Sequence, residues 1–371
     1  FYDAATKEFR GFGRVEARDA SLVTAITEFH QDLFRKGRAF RTEIRDADGN
    51  LWSKVERAWS ASTPYPGLDC YYTHLDQTDT FDYDGNATYR QSRVRHAYDA
   101  YGNMSATYSD GEVGVSGDER SQVTTFAVNT TNWILSAASL VSSYNASSNV
   151  VSQTRFYYDG SASLGAAPVK GNLTRQESWL DRDASGTVNR WIASRASFDA
   201  YGNVVSAIDP LNRSVSNTFD TATRTFVVKI ENPLGHTRTM SYDARYNAVI
   251  ASTDAAGVSM TNEYDALGRL SLVIGPNDTR ALPTTRFEYN VSTVPTRATQ
   301  YVRSQHGTTN ELTTHTFFDG LNRPIQVRSP AENPAQQVVT GIKEFNDRGF
   351  VARQWAPYLS TASSLYQPYT S

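Results

Sequence analysis

Carboxylates and carboxamides recur in tight clusters along this sequence, and three of them have spacing that could do chemistry. The string Asp181-Arg182-Asp183-Ala184-Ser185-Gly186 begins like a calcium loop, with oxygen ligands at positions 1, 3 and 5 and glycine at 6. Position 12 is Ile192, where such a loop needs a bidentate Glu. Asp46-Ala47-Asp48-Gly49-Asn50 and Asp82-Tyr83-Asp84-Gly85-Asn86 pair carboxylates that could serve as acid and base. All three read first as turns.

Other chemistry has weaker footing. The six His (30, 74, 96, 236, 306, 315) stand singly, with no His-x-x-x-His or His-Glu pair to bring two ligands onto one face. There is no Gly-x-Ser-x-Gly elbow. Gly11-Phe12-Gly13 lacks both the third glycine of a dinucleotide fingerprint and the Gly-Lys-Ser/Thr ending of a phosphate loop. Cys70 is the only cysteine, which excludes an internal disulfide framework and a Cys-based zinc cluster. Asn-x-Ser/Thr triplets at Asn86, Asn145 and Asn172 are assigned no role in a chain this rich in Ser and Thr. The expectation is a chain that is not an enzyme, with no cofactor and no metal.

The elements that hold these clusters are repeats. One signature, aromatic-Asp-x-x-Gly/Asn followed by a polar residue, appears in Tyr98-Asp99-Ala100-Tyr101-Gly102-Asn103, Phe198-Asp199-Ala200-Tyr201-Gly202-Asn203 and Tyr264-Asp265-Ala266-Leu267-Gly268-Arg269-Leu270. Phe318-Asp319-Gly320-Leu321-Asn322-Arg323 and Phe345-Asn346-Asp347-Arg348-Gly349-Phe350 extend it. A variant without the aromatic occurs at Asp209–Asn212, Asn232–Gly235 and Asp254–Gly257. Asp or Asn bonds back to the main chain, Pro or Ala accepts φ near −65°, and Gly or Asn at the fourth position accepts positive φ. That is a type I turn followed by a left-handed residue, a common hairpin tip.

The Asx positions 199, 209, 220, 232, 243, 254 and 265 are 10 to 12 residues apart. Removing about four turn residues leaves strands of ordinary length, so the segment reads as an antiparallel meander. Arg224–Ile230 and Arg269–Ile274 carry partial period-two patterning. Two copies put Thr223 or Tyr246 where Gly or Asn belongs, which predicts different loop geometry there. Leu22, Ile26, Phe29 and Leu33 make 22–34 the only window at helical spacing, against strand signals elsewhere. Ser109–Gly117, Ser161–Gly171 and Pro276–Pro283 read as insertions rich in Gly, Ser, Pro and Asp.

Composition narrows the partners. Among 371 residues, 36 Lys+Arg against 39 Asp+Glu leave a net charge of −3, without the basic excess of a phosphate-backbone binder. The weakly polar stretch 132–141 is about half a bilayer span. Aromatics reach 12%, and Arg far outnumbers Lys, which suits guanidinium groups lying on rings across strands. The sequence opens at Phe1 without an initiator Met or a leader, which reads as part of a longer polypeptide.

The Tyr-Asp-x-x-Gly-Arg-Leu core at 264–270, echoed from Phe198 through Phe219 and Tyr242 to Tyr264, resembles the YD repeat of the Rhs family over about residues 80–350. Lys7-Glu8-Phe9-Arg10-Gly11-Phe12-Gly13-Arg14-Val15-Glu16 resembles a stretch of the B subunits of bacterial insecticidal toxin complexes and related virulence-plasmid proteins. Lys36-Gly37-Arg38 and Arg41-Thr42-Glu43 fit the same region more loosely. The resemblance divides the chain into a B-subunit-like region, 1–75, and a repeat region, 76–371. It implies an all-β fold, a YD/Rhs-repeat hairpin meander forming part of a large hollow β-shell. The implied partners are a C subunit that completes the shell, an A subunit that forms a channel and an enclosed toxic polypeptide, in a secreted complex. The Asp-Pro-x-Gly processing motif of C-type members is incomplete in Asn232-Pro233-Leu234-Gly235 and Asp209-Pro210-Leu211-Asn212, so no autoproteolysis is assigned. The other reading of YD repeats is a cell-surface module that binds carbohydrate or protein.

Overall fold

A computed structural model describes residues 2–4, 7–63, 67, 71–182 and 189–369. Cys70 and positions 183–186 of the calcium-like string lie outside the described residues. Every regular element among the described residues is a β-strand. The chain forms two compact units, Phe1–Arg213 and Ser214–Ser371.

In the first unit, thirteen strands from Arg14–Arg18 to Val204–Ile208 each pair antiparallel with the next in the chain. In the second, the same up-and-down order runs from Ser214–Phe219 to Gln336–Thr340. The strand Tyr358–Thr361 then returns to pair with Gln336–Thr340. Lys343–Phe345 and Val351–Gln354 form a separate hairpin.

Strict neighbour-to-neighbour order explains why the turn signature has two forms. Successive turns of a meander fall on opposite edges of the sheet. In the second unit the turns after Phe219, Tyr242, Tyr264 and Phe318 share one edge, and those at Asn232 and Asp254 lie on the other. The aromatic-led and aromatic-free motifs therefore mark the two edges. At each of these aromatic residues the ladder register slips, as between Glu263 and Tyr264 or between Phe317 and Phe318. Such β-bulges sharpen the local bend.

Three local expectations change. The helical spacing over 22–34 gives way to the strand Thr24–Phe29, because Asp19 Oδ1 accepts the N–H groups of Ser21 and Val23 at 2.9 Å and closes a hairpin turn first. Leu22 takes the left-handed position, φ 65°. The strand expected over Arg224–Ile230 is Val227–Glu231, since Arg224 has φ 56° and belongs to the loop. The strand Met104–Glu112 runs into the segment expected to be an insertion from Ser109, so the interruption there begins at 113.

Little of the chain is sequestered. Its accessible surface is 22836 Å², against about 15,000 Å² for a compact globular chain of 41.2 kDa. Among the described residues, buried apolar side chains such as Phe81, Tyr157, Phe317 and Val339 are no more numerous than buried polar ones, Glu43, Ser142, Thr299, His315, Gln326, Arg328 and Gln337 among them. Both units have polar groups where a layered protein would have its core, and both present strand faces that meet water.

Candidate functional site: stitched turns and a charged sheet face

Each signature turn closes in the same way. The fourth residue's N–H donates to the first residue's carbonyl at 2.8–3.3 Å in the turns begun by Asp99, Asp199, Asp209, Asn232, Asp254, Asp265, Asp319 and Asn346. The first residue's Oδ1 accepts the N–H groups of the third and fifth residues at 2.9–3.0 Å. The fourth residues, Gly102, Gly202, Asn212, Gly235, Gly257, Gly268, Asn322 and Gly349, have φ from 61° to 89°. In the two departing copies the positive φ moves one residue on, to Arg224 and Asn247.

Two further residues of the motif join neighbouring strands. Arg213, Arg269 and Arg323 donate Nε–H to Oδ2 of their own turn Asp at 2.7 Å. Arg269 then covers the Tyr289 ring at 4.4 Å and Arg323 the Phe345 ring at 3.8 Å. The leading tyrosine bonds the other way: Tyr98, Tyr158, Tyr264 and Tyr289 donate their hydroxyls to carbonyls of the preceding strand, at Leu75, Ala138, Val249 and Leu270, over 2.8–3.0 Å. Burial pushes the Tyr98, Tyr158 and Tyr289 hydroxyls above the usual tyrosine range. Tyr, Asp, Gly and Arg thus have separate tasks: one fastens the turn backward, one caps it, one allows its geometry and one fastens it forward.

Sequence reasoning missed several turns of this kind. Asn145 caps a turn with Ser148 at φ 60°, and Asp159 caps the 161–171 insertion. Asp159 accepts four main-chain N–H groups, from Val169, Lys170, Gly171 and Asn172, at 2.6–3.1 Å. Burial pushes its carboxyl up, but these donors outweigh that and hold it below the usual range. Asp159→Ala is expected to speed proteolytic nicking within 161–171 by about tenfold through local opening. Limited proteolysis with mass spectrometry reads this; an unchanged rate would mean that Asn129 and Asn132, which donate to Pro168 and Val169, hold the loop unaided.

The sheet faces of the first unit differ. Glu28, Arg41, Glu56, Asp79 and Arg93 are successive cross-strand partners on one face, and Thr27, Thr42, Val55, Thr80 and Ser92 on the other. Glu43, on the charged face, is almost fully buried and pairs with Arg41 and with Arg45 at 2.7 Å. Burial pushes its carboxyl up, and the two guanidinium groups more than reverse this. Asp79 accepts from Arg93, Gln77 and Gln91 at 2.6–2.8 Å. Arg155 lies over Trp191 at 3.7 Å and Arg175 over Tyr157 at 3.8 Å.

The clusters singled out in the sequence are taken up by turns and ion pairs. Asp46 is committed to its own turn, accepting from Asp48 and Asn50, while Asp84 and Gly85 sit in a turn at φ 49° and 76°. Asp181 pairs with Arg190, and Ile192 lies in the strand Asn189–Phe198. The six His remain apart, and no group of three or more metal-ligating side chains occurs among the described residues. The closest approach to a triad is Thr284, Asp278 and His306, but Asp278 is in the middle: it accepts from His306 Nδ1 at 2.9 Å, from Arg303 at 3.0 Å and from Thr284 at 2.5 Å. A hydroxyl bonded to the acid has no imidazole base to take its proton, so the cluster fastens the 276–283 insertion.

No protein-family model and no curated protein matches the chain. Among solved structures it is similar to the TcdB2-TccC3 complex without its hypervariable C-terminal region, with TM-score 0.74 and 12% identity over 96% of this chain and 30% of that one. The TcdB2-TccC3-Cdc42 complex matches with TM-score 0.72, 12% identity and the same coverage. The Photorhabdus luminescens Tc holotoxin pore bearing a TccC3 mutation matches with TM-score 0.71 and 12% identity, over 96% of this chain and 29% of that one. The chain thus spans about a third of the length of those chains and shares with that segment an all-β hairpin-meander fold.

Proposed function

We propose that this chain is a wall segment of a YD/Rhs-repeat β-shell that encloses a toxic polypeptide in a secreted toxin complex. Its work is containment, without catalysis or cofactor. The observation that carries this reading is a fold match covering 96% of the chain to toxin-complex structures, in sheets whose polar groups occupy both faces. Polar faces suit a wall that meets solvent on one side and a guest on the other. The partners on this reading are a C-type subunit that completes the shell, an A-type channel subunit and the guest. No helix among the described residues is long and apolar enough to cross a membrane, and the balanced charge favours no nucleic acid.

The test is protease protection. With the parent protein co-expressed with its C-type partner, the partner's terminal segment is expected to resist digestion until the complex is mildly denatured. Immediate digestion would remove the container reading and favour a cell-surface binding module.

A further inference from the structure

A buried polar cluster belongs to the second unit, on one face of the strands Thr296–Arg303, Glu311–Phe318, Pro324–Pro330 and Gln336–Thr340. Arg297, His315, Gln326, Arg328 and Gln337 lie on this face, and residues 361–367 cross it. The crossing segment is held by its main chain. Gln326 donates to the Gln367 carbonyl at 2.5 Å and accepts the Gln367 N–H at 3.3 Å. Arg328 donates to the Thr361 carbonyl at 2.7 Å, Gln337 Oε1 accepts the Ser363 N–H at 3.0 Å, and Arg297 donates to the Ser364 carbonyl. These contacts address the main chain of the crossing segment, which bends at Ser364–Leu365 where Ser363 Oγ accepts the Leu365 N–H, and its Tyr366 ring packs edge-on to Phe317 at 5.8 Å.

Charge is left over. Arg328 is 0% exposed, and its Nη1 has no acceptor; the buried Nε of Arg297 has none either. Among the described residues neither guanidinium has a carboxylate partner, and segment 361–369, Thr-Ala-Ser-Ser-Leu-Tyr-Gln-Pro-Tyr, carries no acidic group. Glu288, on the same face, is engaged by Arg286 and Tyr301. Burial pulls Arg328 below the usual arginine range, and burial with Arg297 and Arg328 pulls His315 below the usual histidine range. A buried guanidinium without a counter-charge is costly, and a carboxylate bonded to it recovers that cost.

We propose that this face is a binding site for an acidic polypeptide segment, recognised through its main chain by Gln326 and Gln337 and through its carboxylates by Arg297 and Arg328. Segment 361–369 is its neutral, exchangeable occupant. The proposal goes beyond the container reading and is tested separately.

The probes are two fluorescent nine-residue peptides: the sequence of 361–369, and the same with Ser363→Asp and Ser364→Asp. Anisotropy is measured with the full chain, whose own segment 361–369 both probes must displace alike. The acidic peptide is expected to bind at least about tenfold tighter than the neutral one, as suits charge-assisted hydrogen bonds. This preference should vanish in Arg297→Gln and in Arg328→Gln, with strand content checked by circular dichroism. If Arg328→Gln does not fold, the more exposed Arg297→Gln decides. Equal affinities, or no binding of either peptide, would overturn the proposal. Either result leaves protease protection of the guest, measured without peptide, unaffected.

Discussion

Gly268→Ala is expected to destabilise the protein by about 2–4 kcal/mol, whereas Gly257→Ala costs about 1–2 kcal/mol. The two glycines hold the same turn position with φ of 77° and 79°, so a Cβ pays the same left-handed penalty at each. They differ in what that Cβ meets. At Gly257 nothing lies within 4 Å, while at Gly268 the Cβ would sit 2.6 Å from Cδ1 and 2.9 Å from Cγ of Tyr246. The ring cannot withdraw freely, because its hydroxyl donates to the Ala266 carbonyl at 2.9 Å. Tyr246→Ala in the Gly268→Ala background should therefore restore most of the difference. Urea midpoints compare the variants, and hydrogen exchange of Ser259–Tyr264 localises the loss. Equal midpoints for the two single variants would show that the Tyr246 ring yields at no cost.

Acidification should have the second large effect. Stability is expected to decline gently between about pH 7 and pH 5, because His30 and His315 are held below the usual histidine range and take up protons more readily in the unfolded chain, and to fall steeply between about pH 4 and pH 2. The turn carboxylates Asp46, Asp199, Asp209, Asp220, Asp243, Asp265 and Asp319 are all held below their ordinary range. At Asp265 the main cause is the Arg269 backbone N–H, and at Asp209 it is the Arg213 side chain. A carboxyl depressed on folding binds fewer protons folded than unfolded. Its contribution is complete above the unfolded value and is lost as pH falls through the folded one. Asparagine caps the turns at Asn232 and Asn346 with the same main-chain bonds. Asp265→Asn with Asp319→Asn should therefore lower the thermal midpoint at pH 7 but keep the turns, and the gap from the parent should narrow below about pH 4 and close toward about pH 2. A gap of constant size across that range would show that the turn charges contribute nothing.

The turn positions were legible because their chemistry lies within five consecutive residues. Asp265, Gly268 and Arg269 need no knowledge of the rest of the chain to close their hairpin. Where a different residue fills the left-handed position, as Leu22 and Ser148 do, the same turn forms but its sequence signal is hidden. The reason for two motif forms was not legible, since it lies in which edge of the sheet each turn occupies. Nor was the role of the abundant arginine: Arg269 meets Tyr289 twenty residues on, and only strand register places them together.

The sequence alone determined local geometry: strand lengths, turn types and the all-β class, because period-two patterning and Asx capping act over a few residues. Tertiary structure decided which polar groups are buried. Gln326 and Gln367, or Arg297 and Ser364, are 41 and 67 residues apart, and the folded-back C-terminal segment has no periodic pattern to announce it. The cost of burying Arg328 is set by the distant groups that surround it, so no local reading of the chain could have found that site.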